Sequence, residues 1–159
     1  MRGNYCTLNP LDSVAGNLIN GNLEYYDTSG NGEYAASTMS FDIVNEKYYI
    51  EYEVGTLNYN ADRVGIIPET NTGIYSGTYA NSYAYYAANG NKIPGNTAFG
   101  ASINLSDILG IAVGNGQIEY FKNGVSQGFK LCKCKKLGSS TPLIRARLKI
   151  TGISKFLIL

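Results

Sequence analysis

Glu51 and Glu53 are the two residues of this chain whose spacing could support catalysis. They are two positions apart in an alternating run, and residues with that spacing share one face of a β-strand. Two neighbouring carboxylates are the groups that glycosidases use. Any strand with a solvated outer face gives the same arrangement, however, and this second interpretation is the one we favour.

Other catalytic and metal-binding chemistry is excluded by composition. The chain has no His, so it lacks the usual base of nucleophilic triads and the commonest metal ligand. Its three Cys, at positions 6, 132 and 134, match neither a disulfide framework nor a zinc site, and we interpret them as incidental thiols. The sequence therefore predicts a protein that is not an enzyme, without catalytic residues, metal or cofactor.

Tyr and Asn are the residue types that point to a function. Tyr provides a rigid ring with a hydroxyl group, and Asn provides both a donor and an acceptor, which together suit sugars or polar protein surfaces. Residues 68–82 form the longest loop candidate, and long ordered loops are often functional. We predict ligand-binding residues in rim loops at Asn60, Tyr75, Tyr79, Tyr83, Tyr85, Tyr86, Asn89 and Asn91.

Two alternatives apply to these residues. Tyrosines at a spacing of two can be core residues of strands, and about half of this set could be explained in that way. An AT-rich genome would also raise the Asn and Tyr content without any selection for binding.

The elements that must position these residues are β-strands. Around Asn115-Gly116, two alternating runs predict an antiparallel hairpin, with Leu109, Ile111 and Val113 on one face of the first run and Ile118 and Tyr120 on one face of the second. The run Lys47–Val54 predicts a strand whose core face carries Tyr48, Ile50, Tyr52 and Val54. Further strands are predicted by alternation at Met39–Ile43, by short runs at Arg63–Ile67 and Tyr83–Ala88, and by a hairpin at Asn20-Gly21, whereas residues 1–17 are predicted to be irregular.

The charge is unevenly distributed along the chain. Residues 1–128 have five basic and twelve acidic residues, whereas residues 129–159 have eight basic residues and no acidic residue. Such a segment could bind nucleic acid or acidic lipid, but no nucleic-acid motif accompanies it, so nucleic acid is not an expected partner. No apolar run is long enough to span a bilayer, and no secretory signal is predicted.

Several fragments, in order, resemble the SPRY domain, the core of B30.2-like modules, and most closely the versions found in bacteriophage tail and fibre proteins. Lys47–Val54 resembles the family's G-K-W-Y-W-E-V strand, and Arg63–Ile67 resembles the strand that follows it. Residues 81–92 resemble a Tyr-rich family segment, and residues 107–128 resemble the G-D-v-I-G-v-a-l-D strand and the F-y-k-N-G hairpin after it. Tyr stands where the family usually has Trp, and Gly114-Asn115 replaces the usual Asp after the first strand of that hairpin.

The resemblance implies an all-β, concanavalin-A-like sandwich of two antiparallel sheets, a SPRY-like jelly roll. It covers residues 7–128, so we predict a SPRY-like core at 1–128. The family expects further strands and an aromatic-Gly ending, which residues 129–159 do not match. This atypical basic segment therefore supplies either terminal strands of the same domain or the product of a frame slip in the coding sequence, and we favour the slip.

The expected function is that of a non-catalytic binding module on a phage tail or virion, which recognises a host cell-surface glycan or protein through rim loops. A purely structural virion component, with contacts to other virion subunits, and a cellular peptide-binding adaptor are the alternatives. The expected location is the virion if the protein is phage-encoded, and otherwise the cytoplasm.

Overall fold

A computed structural model describes residues 6–14, 16–26, 34–42, 45–55, 63–68, 82–131, 143–149 and 153–158. The regular secondary structure within these ranges consists of β-strands alone, which confirms the predicted all-β class. The strands are β1 (Leu8–Val14), β2 (Asn17–Ile19), β3 (Glu24–Tyr26), β4 (Tyr34–Asp42), β5 (Lys47–Val54), β6 (Arg63–Pro68), β7 (Tyr83–Tyr86), β8 (Asn91–Ile93), β9 (Thr97–Ala98), β10 (Ile108–Gly114), β11 (Gln117–Lys122), β12 (Val125–Leu131), β13 (Leu143–Lys149) and β14 (Ile153–Ile158).

These strands form two seven-stranded sheets, and the paired neighbours are antiparallel. Sheet A has the order β1-β4-β13-β6-β7-β8-β9, and sheet B has the order β12-β11-β10-β5-β14-β3-β2. Residues from both sheets share one buried cluster, so the two inner faces form a common core. The Tyr85 ring of sheet A lies 5.3 Å from the Tyr120 ring of sheet B, centroid to centroid, which joins the two layers directly.

The hairpin β10–β11 has the predicted register. Val113 is opposite Ile118 and Ile111 is opposite Tyr120, and all four side chains are buried. Asn115 has a φ of 51° and Gly116 a φ of 69°, the left-handed conformations that a two-residue turn of this kind requires. The hairpin at Asn20-Gly21 is likewise present as β2–β3.

Strand β5 lies between β10 and β14 near the middle of sheet B. Its inner face buries Ile50, Tyr52 and Val54, as its alternation predicts, whereas Tyr48 near its start is only partly buried. The opposite side chains, including Tyr49 and Glu51, belong to the outer face of the sheet.

Three sequence predictions about strand limits are wrong. Residues 8–14, expected to be irregular, form β1, because Leu8 is buried and the strand lies at the sheet edge, where Pro10 is tolerated. Strand β4 begins at Tyr34, because Ala35 and Ala36 are buried without any polar alternation. Strand β7 ends at Tyr86 because a turn begins at Ala87.

The basic C-terminal segment contributes two interior strands. Strand β13 lies between β4 and β6 in sheet A, and β14 lies between β5 and β3 in sheet B. The division into a core at 1–128 and a C-terminal segment that supplies terminal strands of the same domain stays a prediction. The frame-slip hypothesis concerns the gene and stays a prediction, which translation of the neighbouring frames would test.

Candidate binding site

Tyr83 and Tyr85, predicted as ligand-binding residues, are core side chains. Tyr83 is 5 % exposed and Tyr85 is completely buried. The Tyr85 ring packs edge-on against Phe99, at 6.2 Å between centroids, and its hydroxyl donates a hydrogen bond to the Ala101 carbonyl oxygen. Burial raises the pKa of Tyr85 to about 12. The prediction that these two rings contact a ligand at the rim is therefore wrong, because both point to the inner face of β7.

Tyr86, Asn89 and Asn91 lie at the end of β7 and in the turn that follows. Tyr86 is partly exposed, and the Arg63 guanidinium carbon lies 5.5 Å from the centre of its ring. Asn89 Oδ1 accepts a hydrogen bond from the Asn91 backbone NH at 2.9 Å, and Asn91 Nδ2 contacts Asn96 Oδ1 at 3.1 Å. Both amides thus stabilise the local turns. Ligand binding by these three residues stays a prediction.

The remaining predicted residues, Asn60, Tyr75 and Tyr79, lie outside the described residues. So do positions 69–81 of the predicted long loop, of which Pro68 and Ser82 are described.

A groove of about 520 Å³ lies on the outer face of sheet B. Two cross-strand rows form most of its lining: Lys47, Gly114 and Gln117 in the first row, and Tyr49, Ala112 and Glu119 in the second. Tyr48, Val113 and Asn115 complete the lining. We call this site the outer groove. Strand β10 supplies its floor, and β5 and β11 supply its sides.

Small residues along β10 create the floor of the outer groove. A Cβ atom on Gly114 would lie 2.8 Å from Lys47 Cγ, so the stem of this lysine lies directly over the glycine backbone. A Cβ atom on Gly110 would collide with the Tyr49 hydroxyl, so this ring leans over the next row of the sheet. Larger residues at these positions would displace the groups that form the sides of the groove.

Tyr49 is held in place on both sides. Its ring meets Phe121 of β11 edge-on, with centroids 6.0 Å apart and an interplanar angle of 73°. Burial and a hydrogen bond to Glu51 raise the pKa of Tyr49, so its hydroxyl remains neutral in ordinary buffers. The outer groove therefore has a rigid aromatic side that carries a neutral polar tip.

Charged groups of both signs line the groove. Lys47 brings an ammonium group at one side, and Glu119 brings a carboxylate at the other. Glu119 Oε1 accepts a hydrogen bond from Ser126 Oγ at 2.6 Å, which fixes the carboxylate toward β12 and leaves its second oxygen available. The site can therefore both donate and accept hydrogen bonds without a strong net charge.

The alternation of Lys47–Val54 puts Tyr49 on the face opposite the predicted core, but the sequence does not reveal the outer groove. The available signal was the row of small residues Gly110, Ala112 and Gly114, which alternates with the buried Leu109, Ile111 and Val113. A row of small outer residues indicates a groove only once the side chains on the neighbouring strands are known. Which side chains those are depends on strand register. Glu51 and Glu53 also belong to this face, opposite Gly110 and Ile108 respectively.

A second polar cluster closes the loop that precedes β10. Asp107 accepts hydrogen bonds from the Asn104 backbone NH at 2.7 Å and from Asn123 Nδ2 at 2.7 Å, and it pairs with Lys122 Nζ at 2.9 Å. Burial alone would raise the pKa of Asp107, but these contacts lower it below its ordinary value. Lys122 also donates to the Ser102 carbonyl oxygen at 2.8 Å, so the cluster is internally satisfied and we assign it a structural role.

The described residues provide no metal site and no membrane-spanning helix. Within them, no three His, Cys, Asp or Glu side chains are grouped to hold an ion. Likewise, these ranges contain no helix with the length and hydrophobicity required to cross a bilayer.

Comparisons with known proteins identify the fold. No family model matches the chain, and no curated protein matches it. Among solved structures, the SPRY domain of human HERC1 superposes with a TM-score of 0.70 at 16% identity, covering 94% of this chain and 96% of that chain. A human SPRY domain gives 0.66 at 19% identity, with coverages of 91% and 96%. The TRIM65 PSpry domain gives 0.65 at 12% identity, with coverages of 98% and 89%. The chain therefore has the SPRY-type β-sandwich fold predicted from its sequence.

Proposed function

We propose that this protein is a non-catalytic binding module and that the outer groove is a contact site for its partner. The observation that carries the proposal is the groove itself, whose two rows combine a fixed aromatic ring, a small apolar floor and hydrogen-bonding groups of both kinds. Concave sites with a few convergent polar groups are the usual places where ligands bind. The likeness to SPRY domains supports the same class, since the family binds partners without transforming them.

The partner we propose is a glycan or a protein on a host cell surface, and the setting is a bacteriophage tail or virion. This part rests on the resemblance of residues 7–128 to phage versions of the SPRY domain and on their Tyr and Asn content. The partly exposed Tyr86 beside Arg63 belongs to the other sheet, so binding there would be a contact separate from the outer groove. If the gene is cellular, we propose instead a cytoplasmic adaptor that binds peptides.

Binding of the purified protein to intact bacterial cells and to glycan and protein arrays tests the proposal. We expect specific retention that the Tyr49→Ala variant reduces, because the substitution removes the aromatic side of the outer groove. Thr97→Ala, at an exposed position on β9 in the other sheet, is the control and should bind normally. Failure to bind any cell, glycan or protein would contradict the proposal.

A purely structural role in a virion is the second candidate. It is favoured by large apolar side chains exposed to solvent, of which Leu11, Leu105 and Val125 are 94%, 60% and 66% exposed. Exposed apolar side chains mark contacts between subunits where they form one continuous patch. Sedimentation measurements separate the two candidates, because a structural subunit should self-associate or co-assemble with other virion proteins, whereas a receptor-binding unit should bind cells.

Hydrolysis of a bound glycan is the enzymatic alternative. The double variant Glu51→Gln and Glu53→Gln removes both carboxylates while it keeps their size. We expect no release of reducing sugar by the unmodified protein. Release that disappears in the double variant would establish a glycosidase and overturn the non-catalytic assignment.

A further inference from the structure

We propose that the outer groove binds a neutral sugar ring. The inference rests on the proposed function and adds to it the chemical class of the ligand and the part of the sheet that recognises it. Four properties of the groove carry it: its charges, its apolar surface, the state of its main chain and its size.

The charges favour a neutral ligand. Lys47 and Glu119 line opposite sides of the groove, so an anion would be attracted by one and repelled by the other, and the same holds for a cation. A sugar hydroxyl can accept a hydrogen bond from the ammonium group and donate one to the carboxylate. The Gln117 amide, in the first row, adds a donor and an acceptor of its own. A neutral polyol can therefore use all of these groups without leaving one opposed.

The apolar part of the groove is small. It comprises the Tyr49 ring on β5 and the Ala112 methyl group opposite it on β10. The C–H face of a pyranose can pack against such a surface while its hydroxyls reach the polar sides. Because the Tyr49 ring is already fixed against Phe121, little side-chain entropy is lost on binding.

The backbone NH and C=O groups at this site are already paired with neighbouring strands. Strand β10 pairs with β5 on one side and with β11 on the other through residues 109–114. Its NH and C=O groups therefore cannot accept an additional strand, which is how extended peptides most often bind to sheets. Recognition here must use side chains, which suits a compact ligand better than an extended peptide.

The volume agrees with this class of ligand. About 520 Å³ lies within the range of roughly 300–1,000 Å³ that small-molecule sites occupy. A short neutral oligosaccharide is of the size that such a site holds, with one ring over Ala112 and beside the Lys47 stem.

The test is a glycan array of neutral, sialylated and sulfated structures, followed by calorimetric titration with the neutral glycan that binds best. The informative variant is Ala112→Leu, which fills the floor of the groove. Its matched control is Ala98→Leu, at an exposed position of β9 in the other sheet. Both variants are first compared with the original protein by urea unfolding, so that a loss of fold is not mistaken for a loss of binding.

We expect binding to neutral glycans, a loss of at least about tenfold in affinity for Ala112→Leu, and no change for Ala98→Leu. Glu119→Gln should weaken binding without changing the preference for neutral glycans. Binding that is unaffected by Ala112→Leu would contradict the outer groove as a contact site and so count against both proposals. Binding to acidic glycans alone would overturn this inference and leave the proposed function standing. Retention on protein arrays alone would likewise overturn the inference of a sugar ligand and leave the proposed function standing. No binding to any target would contradict both proposals.

Discussion

Tyrosine has two roles in this protein, and single residues show why the sequence could not separate them. Tyr85 and Tyr49 both occur in alternating runs, and both carry a ring with a hydroxyl. Tyr85 faces the core and is completely buried, whereas Tyr49 faces outward and lines the outer groove. The side chain suits both environments, since its ring is apolar and its tip is polar. Only the face of the strand, fixed by the pairing of neighbouring strands, decides between the two.

The hydroxyl of Tyr85 provides a first prediction. Tyr85→Phe keeps the buried ring but leaves the Ala101 carbonyl oxygen without this donor, so we expect a loss of about 1 kcal/mol in unfolding free energy. Tyr85→Ala also leaves a cavity, and we expect a loss of about 3–5 kcal/mol. Urea unfolding measures both. Tyr86→Phe, whose ring remains beside Arg63, is the control and should change stability by less than about 0.5 kcal/mol. A Tyr85→Ala protein as stable as the original would contradict the burial of this ring.

Alkaline pH provides a second prediction at the same scale. The pKa of Tyr85 is raised to about 12 from an ordinary value of 10.0, and the pKa of the fully buried Tyr52 is raised well above its ordinary value, in both cases chiefly by burial. The folded state thus favours the neutral phenol, so its contribution to stability is complete below about pH 10 and is lost as pH rises toward about 12. We expect stability to fall across this interval, and to fall less steeply in Tyr85→Phe. The urea midpoint measures the loss of stability, and phenolate absorbance measures the ionisation of the tyrosines. An equally steep fall of stability with pH in the original protein and in Tyr85→Phe would contradict the raised pKa of Tyr85.

At the scale of elements, local signals predicted the hairpins and missed features that depend on distant partners. Asn115-Gly116 and Asn20-Gly21 predicted their turns because left-handed conformations are needed at adjacent positions. Strand β1 was missed because its Pro10 is compatible with a strand only at a sheet edge, and sheet order is not a local property. The outer groove was missed for a related reason, since it depends on the register of β5, β10 and β11.

Alanine substitutions at two glycines distinguish the cost of a strained backbone from the cost of a steric collision. Gly124 has a φ of 78°, and an added Cβ would meet nothing within 4 Å, so Gly124→Ala should cost about 1–2 kcal/mol from the left-handed backbone alone. At Gly65 an added Cβ would collide with the Tyr83 carbonyl oxygen of the neighbouring strand. We expect Gly65→Ala to destabilise the protein by more than Gly124→Ala, as measured by thermal and urea unfolding. The opposite order would contradict the packing of β6 against β7.

For the whole molecule, the sequence predicted the sandwich and left the role of residues 129–159 open. The resemblance extended only to residue 128, and the loss of Asn, Tyr and acidic residues after that point favoured the frame slip. In the structure, β13 and β14 each lie between two other strands of their sheets. Runs such as Leu143-Ile144 are too short for periodicity to reveal which strands they join. The topology shows their position instead.

A shortened chain provides a prediction for the whole fold. A protein that ends at Leu131 lacks β13 and β14, so β4 loses its partner on the β6 side and β5 loses its partner on the β3 side. We expect this variant to lack cooperative unfolding, because each sheet is divided into two parts. Circular dichroism during urea titration measures it, with the full chain as the control. A cooperative transition close to that of the full chain would show that the two strands are dispensable.

The interior position of β13 and β14 also has a consequence for how the protein is made. These two strands leave the ribosome after the other described strands, yet they lie between strands that emerge much earlier. Until they arrive, the nascent polypeptide keeps unpaired strand borders next to β4, β6, β5 and β3, and such borders promote aggregation. Neither sheet can be completed before β14 has been synthesised, so the yield of folded protein should depend on chaperones and on the rate of translation.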